Sequence, residues 1–226
     1  METPKSAFSS PDAVSGYADR TARLVPGLRD LHRMTGLLLA ERVPVDGRVL
    51  VLGAGGGLEL RAFADWQPGW RFDGVDPSSE MLQQARTTLS ALASRVQLHE
   101  GYIEDAPDGP FDGATCLLTL HFLPEEERGR TVRAVHRRLR PGAPFVVAHH
   151  SFPTTEQEKD RWLARYAAFS VASGEPPTQA SISIMKERLP VLSPDQDVAI
   201  LHDAGFRDIE LFYAGFTFKG WVGYRG

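Results

Sequence analysis

The chain has 226 residues, 42% of them apolar and 24% charged, which suits one full-sized globular domain with a lid and is too little for two. A formal net charge of −4 leaves no basic footprint for a nucleic acid, and the single cysteine, Cys116, excludes an internal disulfide and points to a reducing, cytoplasmic setting. No secretory-signal pattern is read, and the longest apolar run, Met34 to Ala40, is far too short to span a bilayer.

Residues 1–10 are polar and read as a fraying tail, and Asp12 to Arg42 carries helical spacing broken at Val25-Pro26-Gly27. Strand and helix then alternate: Arg48 to Gly53, Leu58 to Ala64, Arg71 to Asp76, Ser78 to Ala93, Val96 to Glu100, Phe111 to Leu118, Glu125 to Leu139, Phe145 to His150. Such alternation predicts an α/β fold with right-handed crossovers and a parallel sheet. The Arg-rich stretch containing Arg128, Arg130, Arg133, Arg137, Arg138 and Arg140 falls largely on one of these helices, where a solvated face is expected. After His150 a long helix over Thr154 to Ser173, a break at Gly174 to Pro177, a weaker pattern over Ser181 to Leu189 and a helix starting at Ser193-Pro194-Asp195 read as a cap. Ile209 to Tyr213 and Phe216 to Tyr224 read as an antiparallel hairpin turning at Ala214-Gly215. The expected division is an N-terminal tail with helices over 1–42 and one ligand-binding domain over 43–226, its cap inserted at about 151–193.

Val49 to Leu52 runs into Gly53-Ala54-Gly55-Gly56-Gly57, and Asp76 ends the next strand. A glycine turn between strand and helix, with an acid placed to accept hydrogen bonds from a ribose, is the pattern of a nucleoside-bearing cofactor site. A dinucleotide fingerprint needs a small residue at position 58, where Leu58 stands, so the spacing that fits is G-x-G-x-G. Asp76 could also cap the helix that follows Pro77 and Ser78. Leu117 to His121 is expected at the carboxyl edge of the sheet, with His121 a base or a substrate contact or simply a packing residue. His149 and His150 close the next strand, where alternation turns only one of them to the pocket; His149 is the second candidate catalytic residue. No carboxylate or cysteine accompanies these histidines at ligand spacing, so no metal is expected.

Taken in order, these elements resemble a class I S-adenosylmethionine-dependent methyltransferase, with a Rossmann-like seven-stranded sheet whose last strand is antiparallel. The resemblance covers about residues 43–226. It implies S-adenosylmethionine or S-adenosylhomocysteine as the ligand, with Gly53, Ala54 and Gly55 under its methionyl and ribose groups and Asp76 on the ribose. Met81 would stack on the adenine, and Tyr102 and Ile103, in Glu100-Gly101-Tyr102-Ile103-Glu104-Asp105, would border it, with Leu117 completing the wall. Two positions depart from the family. Tyr102 stands where an acid usually meets the adenine amino group, and Val51 stands where an acid in the first strand usually anchors the ligand's amino group, a loss that Glu59 or loop carbonyls could offset.

Within this superfamily the chain looks most like the carboxy-S-adenosylmethionine synthases, on Leu24-Val25-Pro26-Gly27, Gly36 to Arg42, Thr119-Leu120-His121-Phe122-Leu123 with Glu126 and Arg128, and Leu201 to Phe206. Those enzymes make a carboxylated cofactor for transfer-RNA wobble uridine modification. They hold the extra carboxylate with a tyrosine, an asparagine and an arginine, where this chain has Leu28, Leu117 and, in the cap, Met185, Lys186 or Arg188. A buried carboxylate without partners is costly, so plain methyl transfer to a small-molecule acceptor is the first expectation and the carboxylated cofactor the second. A non-catalytic binding protein on the same fold is the third. The resemblance also implies a homodimer; no membrane or nucleic-acid partner is expected.

Overall fold

The structure, a computed structural model, describes residues 16–226. The polar tail and Asp12 lie outside the described residues. Helices α1 (Tyr17–Leu24) and α2 (Leu28–Ala40) are separated at Val25-Pro26-Gly27, where Gly27 takes φ 64° as the residue before α2. The alternating region gives β1 (Arg48–Leu52), α3 (Leu58–Trp66), β2 (Arg71–Asp76), α4 (Ser79–Thr88), β3 (Val96–Glu100), β4 (Gly113–Leu117), α5 (Glu125–Arg138) and β5 (Pro144–His150). Helix α4 ends earlier than its apolar pattern, and Ser90–Arg95 tightens into a 3-10 turn. The remainder comprises α6 (Glu156–Ala172), α7 (Gln179–Arg188), α8 (Pro194–Asp203), β6 (Phe206–Gly215) and β7 (Phe218–Arg225). Local chemistry sets the starts: the Ser78 hydroxyl accepts from the Met81 amide at 3.1 Å at the head of α4. Ser193 and Gln196 form a reciprocal capping box, with Pro194 in the first turn of α8.

The seven strands are ordered β3-β2-β1-β4-β5-β7-β6, with β1 to β5 parallel and β7 antiparallel to both neighbours. The chain moves outward from β1 to β3 and returns to β4 beside β1. That reversal leaves a crevice at the carboxyl ends of β1 and β4, where open α/β sheets bind ligands.

Alternation along the strands divides the core into two layers. Val49, Val51, Leu117, Val146 and Ala148 face one layer with Leu31, Leu39, Phe63 and Tyr213. Leu50, Leu52, Cys116, Phe145 and Val147 face the other with Val132, Val135, Leu201 and Phe206. Each such side chain, fully withdrawn from water, contributes about 1.5–3 kcal/mol of transfer free energy.

Two expectations are corrected. The hairpin turns at Phe216-Thr217, with Phe216 at φ 50°, while Ala214 and Gly215 remain in β6. Gly215 is small because a Cβ there would lie 2.5 Å from the Tyr213 hydroxyl oxygen and 3.2 Å from Pro26 Cβ. On α5, Arg133 and Arg137 are exposed, but Arg128 is 1% exposed and not on a solvated face. Its guanidinium reaches Asp197 Oδ1 at 2.5 Å and the Leu123 and Pro190 carbonyls at 3.3 and 2.8 Å.

Candidate functional site

Gly53, Gly55 and Gly57 all have positive φ, at 78°, 47° and 81°. The Gly53 and Ala54 amides both bond the Val75 carbonyl, at 2.8 and 3.0 Å, which bends β1 sharply toward α3. A Cβ on Gly53 would lie 2.0 Å from Thr119 Oγ1 and 2.8 Å from Thr119 Cβ, so the loop after β4 closes against the glycine turn. Gly53→Ala is therefore expected to destabilise the fold by about 1–3 kcal/mol in urea denaturation, since both the clash and the left-handed backbone oppose it. Wild-type stability in that variant would show that Thr119 yields.

Asp76 sits across from this turn. Its Oδ2 accepts from the Gly55 amide and its Oδ1 from the Ser78 amide, each at 2.9 Å. Burial raises its carboxyl above the usual carboxylate value, and the two amides oppose that push. Each oxygen keeps a further lone pair, so ligand hydroxyls can be accepted while the loop stays tied. The alternative role of capping α4 belongs to Ser78. Met81 is buried beside the turn, its methyl 3.3 Å from where a Gly55 Cβ would stand.

Beyond Pro77, Gly101 has φ 140°, and Asp105 accepts the Tyr102 amide at 2.9 Å. Ile103 is buried while Tyr102 is 43% exposed. Asp105 is thus committed to its own loop.

A buried carboxyl stands near Val51. Val51 and Thr115 are register partners, so both face the same layer of the core. Glu59, in the first turn of α3, extends into that layer and accepts the Thr115 hydroxyl on Oε1 at 2.9 Å. Burial raises the Glu59 carboxyl from 4.5 to about 8, the Thr115 bond opposing this and Asp76 adding to it.

At the end of β4, Leu118 takes φ 57°, while its amide bonds the Ala148 carbonyl. A bulky residue held in this region marks a constrained turn, and it delivers Thr119 and His121 to the crevice. Leu117 pairs with Ala148, so alternation puts His150 on the Leu117 side and His149 on the opposite one. The expectation for His149 is corrected on that ground. Its ring lies 5.8 Å from the Trp221 ring, and its Nε2 is 3.1 Å from Asp197 Oδ1, off the line that a good hydrogen bond requires.

His121 and His150 both line the pocket, their ring centroids 4.8 Å apart. His150 stacks on Phe218 at 4.0 Å, meets Tyr166 of the cap edge-on at 5.3 Å, and lies 2.9 Å from Thr217 Oγ1 through Nδ1. Burial, with the neighbouring imidazoles and Arg128, holds His121 well below its ordinary value, and burial lowers His150 to about 3. The His150 backbone N–H donates to His121 Nδ1 at 3.4 Å. A neutral His121 ring therefore carries its proton on Nε2, which makes Nε2 a donor.

These residues enclose a cavity of about 200 Å³ bordered by Gly53, Ala54, Gly55, Glu59, Asp76, Met81, Leu117, His121 and His150. It is roofed by Tyr17, Leu24 and Leu28 from the N-terminal helices and by Tyr166 from α6. A second compartment of about 590 Å³ contains Tyr102 and Ile103 and shares Gly53, Pro77, Thr119 and Phe122 with the first. Seven of the eight expected ligand residues, namely Gly53, Ala54, Gly55, Asp76, Met81, Ile103 and Leu117, are buried or half-buried around these two connected spaces; Tyr102 stands at the outer rim. Sequence reasoning assigned no role to Tyr17, and it placed Thr119 only within the sheet-edge motif, with no contact to the glycine turn. Their closeness to the glycine turn has no local signal, because only folding brings them to it.

No lysine or arginine lines the first compartment among the described residues. His32, also on its wall, is lowered to about 4 by burial. Leu28 and Leu117 occupy that wall, Arg188 borders the second compartment, and Lys186 is paired with Asp160 at 2.5 Å. Among the described residues no group of three or more His, Cys, Asp or Glu side chains is disposed to hold a metal, and no helix is long and apolar enough to cross a membrane.

Comparison with known proteins agrees with this geometry. Residues 49–142 match the family profile described as a methyltransferase domain. A carboxy-S-adenosyl-L-methionine synthase of Chromohalobacter salexigens is 29% identical over 220 residues, covering 94% of this chain and 81% of that protein. The corresponding protein of Actinobacillus succinogenes is 26% identical over 209 residues, covering 89% and 86%. Among solved structures, human N-acetylserotonin methyltransferase in complex with S-adenosylmethionine superposes with a TM-score of 0.60 at 17% identity, covering 94% of this chain and 58% of that one. A candidate O-methyltransferase of Nostoc punctiforme gives 0.70 at 19% identity, with coverage of 94% and 58%. The chain thus spans under two thirds of the length of these two solved proteins. The strand order is thus that of the class I S-adenosylmethionine-dependent methyltransferase fold, and residues 49–142, which hold the glycine turn and the acid across from it, match the profile of a methyltransferase domain.

Proposed function

We propose that the chain transfers the methyl group of S-adenosylmethionine to a small, largely apolar acceptor held between the loop after β4 and the roof of α1, α2 and α6. The observation that carries this reading is the first compartment: a glycine turn and Asp76 on one side and, on the other, a largely apolar wall with no lysine or arginine among the described residues. S-adenosylmethionine supplies a methyl group already activated on a sulfonium, so positioning and exclusion of water do most of the remaining work. Asp76 takes the ribose hydroxyls, the glycine turn gives close approach, and Ile103 and Met81 flank the base. His121 orients the acceptor as a donor through Nε2, and His150, neutral at pH 7, completes the wall.

The curated relatives are named for a carboxylated cofactor, and the wall argues against that ligand here. A second carboxylate would meet Leu28, Leu117 and neutral imidazoles, with no lysine or arginine among the described residues of that wall to offset its desolvation. Mass spectrometry of the nucleoside that copurifies, with calorimetry on added S-adenosylmethionine, tests both readings. The expected ligand is the plain cofactor or its demethylated product, with a dissociation constant of roughly 1 μM–1 mM. A carboxylated nucleoside would establish the second reading, and no binding at millimolar cofactor would sink the first.

A further inference from the structure

Glu59 is a buried carboxyl with one neutral hydrogen-bond partner and no cation beside it among the described residues, yet it forms part of the wall of the first compartment. Its titratable neighbours are Asp76 from β2, Tyr17 from α1 and Cys116 from β4, and none of them brings a positive charge. Such an arrangement is costly unless the carboxyl is protonated or a cation arrives in the pocket. Position defines which cation. Glu59 lies two residues past the last glycine of the turn, and its Oε1 is held by Thr115, the register partner of Val51, so the acid stands beside the place where β1 presents only a valine.

We propose that Glu59 anchors the α-ammonium group of the bound adenosyl amino acid, from α3 rather than from β1. This inference rests on the cofactor reading above. Thr115 fixes the carboxyl's rotamer by donating to Oε1, which leaves Oε2 to face the ammonium. Because a neutral Glu59 must give its proton to solvent before the ion pair forms, uptake of the amino-acid part is coupled to release of one proton. Below the folded value of about 8 the affinity therefore rises with pH, and above it the affinity levels off. The site separates ligands bearing the ammonium from nucleosides that lack it, since only the former offset the buried charge.

The test is calorimetric titration of S-adenosylhomocysteine, whose ammonium stays charged across the range, into the wild-type chain and Glu59→Gln. Two buffers of different ionisation heat report the protons released. The wild type is expected to release close to one proton near pH 7 and to gain about tenfold in affinity per unit between about pH 6 and pH 7.5. Glu59→Gln keeps the size of the side chain and an acceptor for Thr115, and it is expected to bind about tenfold more weakly at pH 8, with no pH slope and no proton release. 5′-Methylthioadenosine, which lacks the amino acid, is expected to bind both proteins alike and without a slope. Wild-type binding without proton release, or equal affinity of the two proteins at pH 8, would overturn the role of Glu59 and leave the cofactor reading standing. Failure of the wild type to bind either nucleoside at any pH would overturn both.

Discussion

Arg128→Met is expected to destabilise the protein by about 3–5 kcal/mol, a large share of the roughly 5–15 kcal/mol that holds a domain together. The guanidinium is 1% exposed and serves Asp197, itself buried, together with the backbone carbonyls of Leu123, in the loop after β4, and of Pro190, at the end of the cap. Burial pushes the Asp197 carboxyl up, but its interactions with His149, Arg128 and Ser151 more than offset that and hold it below its ordinary value. Removing the arginine strands a carboxylate where water cannot reach it. The double variant Arg128→Met with Asp197→Leu removes both charges and is expected to recover most of the loss, because a well-packed apolar pair is often no worse than a buried ion pair. The sign with pH follows from the lowered carboxyl: the pair contributes fully above the ordinary carboxylate value of 3.8 and is lost as pH falls through the lower folded value. Urea denaturation at neutral and acid pH measures both effects. A loss under about 1 kcal/mol at neutral pH would mean that the ion pair is not a clasp between α5 and the cap.

The second large effect concerns ligand rather than fold. Asp76→Ala is expected to weaken S-adenosylmethionine binding by about 10²–10⁴-fold, as two hydrogen bonds to a carboxylate are worth about 1.5–3 kcal/mol each. Part of that loss arises in the protein itself, since the Gly55 and Ser78 amides lose their acceptor and the glycine turn loosens. Asp76→Asn keeps an acceptor oxygen for one of the amides and is expected to fall between alanine and the wild type. Calorimetry on the three proteins orders them, and a wild-type dissociation constant in the alanine variant would remove Asp76 from the ligand site.

The parallel half of the sheet could be read from the chain because each strand carries its own signal. Arg71–Asp76 and Val96–Glu100 are bounded as their apolar runs predict, and the glycine turn announces itself through spacing alone. The clasp could not be read that way. Six arginines in and around one helix look like a wetted surface, and Arg128 differs from its neighbours only because Asp197 arrives from 69 residues away. His149 and His150 present the same difficulty in miniature: alternation says they diverge, but only the register of Leu117 with Ala148 says which one meets the pocket. Glu59 lay in view as an acid after the turn, yet its meaning depends on Thr115 standing beside Val51 across two strands. The missing pieces are all pairings between distant segments, and a pattern within one segment cannot supply them.

The position of β7 between β5 and β6 has a consequence for how the protein is made. β6 leaves the ribosome before β7 does, yet β7 is the strand that joins it to β5, so the edge of β5 bearing His149 and His150 waits for a partner made later. His150 and Thr217, which touch in the finished site, are 67 residues apart in the chain. Contacts of such long span are costly to close and form slowly. During synthesis the nucleoside half of the crevice, β1 to β4 with its glycine turn, can take shape well before the wall that receives the acceptor. A nascent chain would thus gain a place for the methyl donor before it gains a place for anything to methylate.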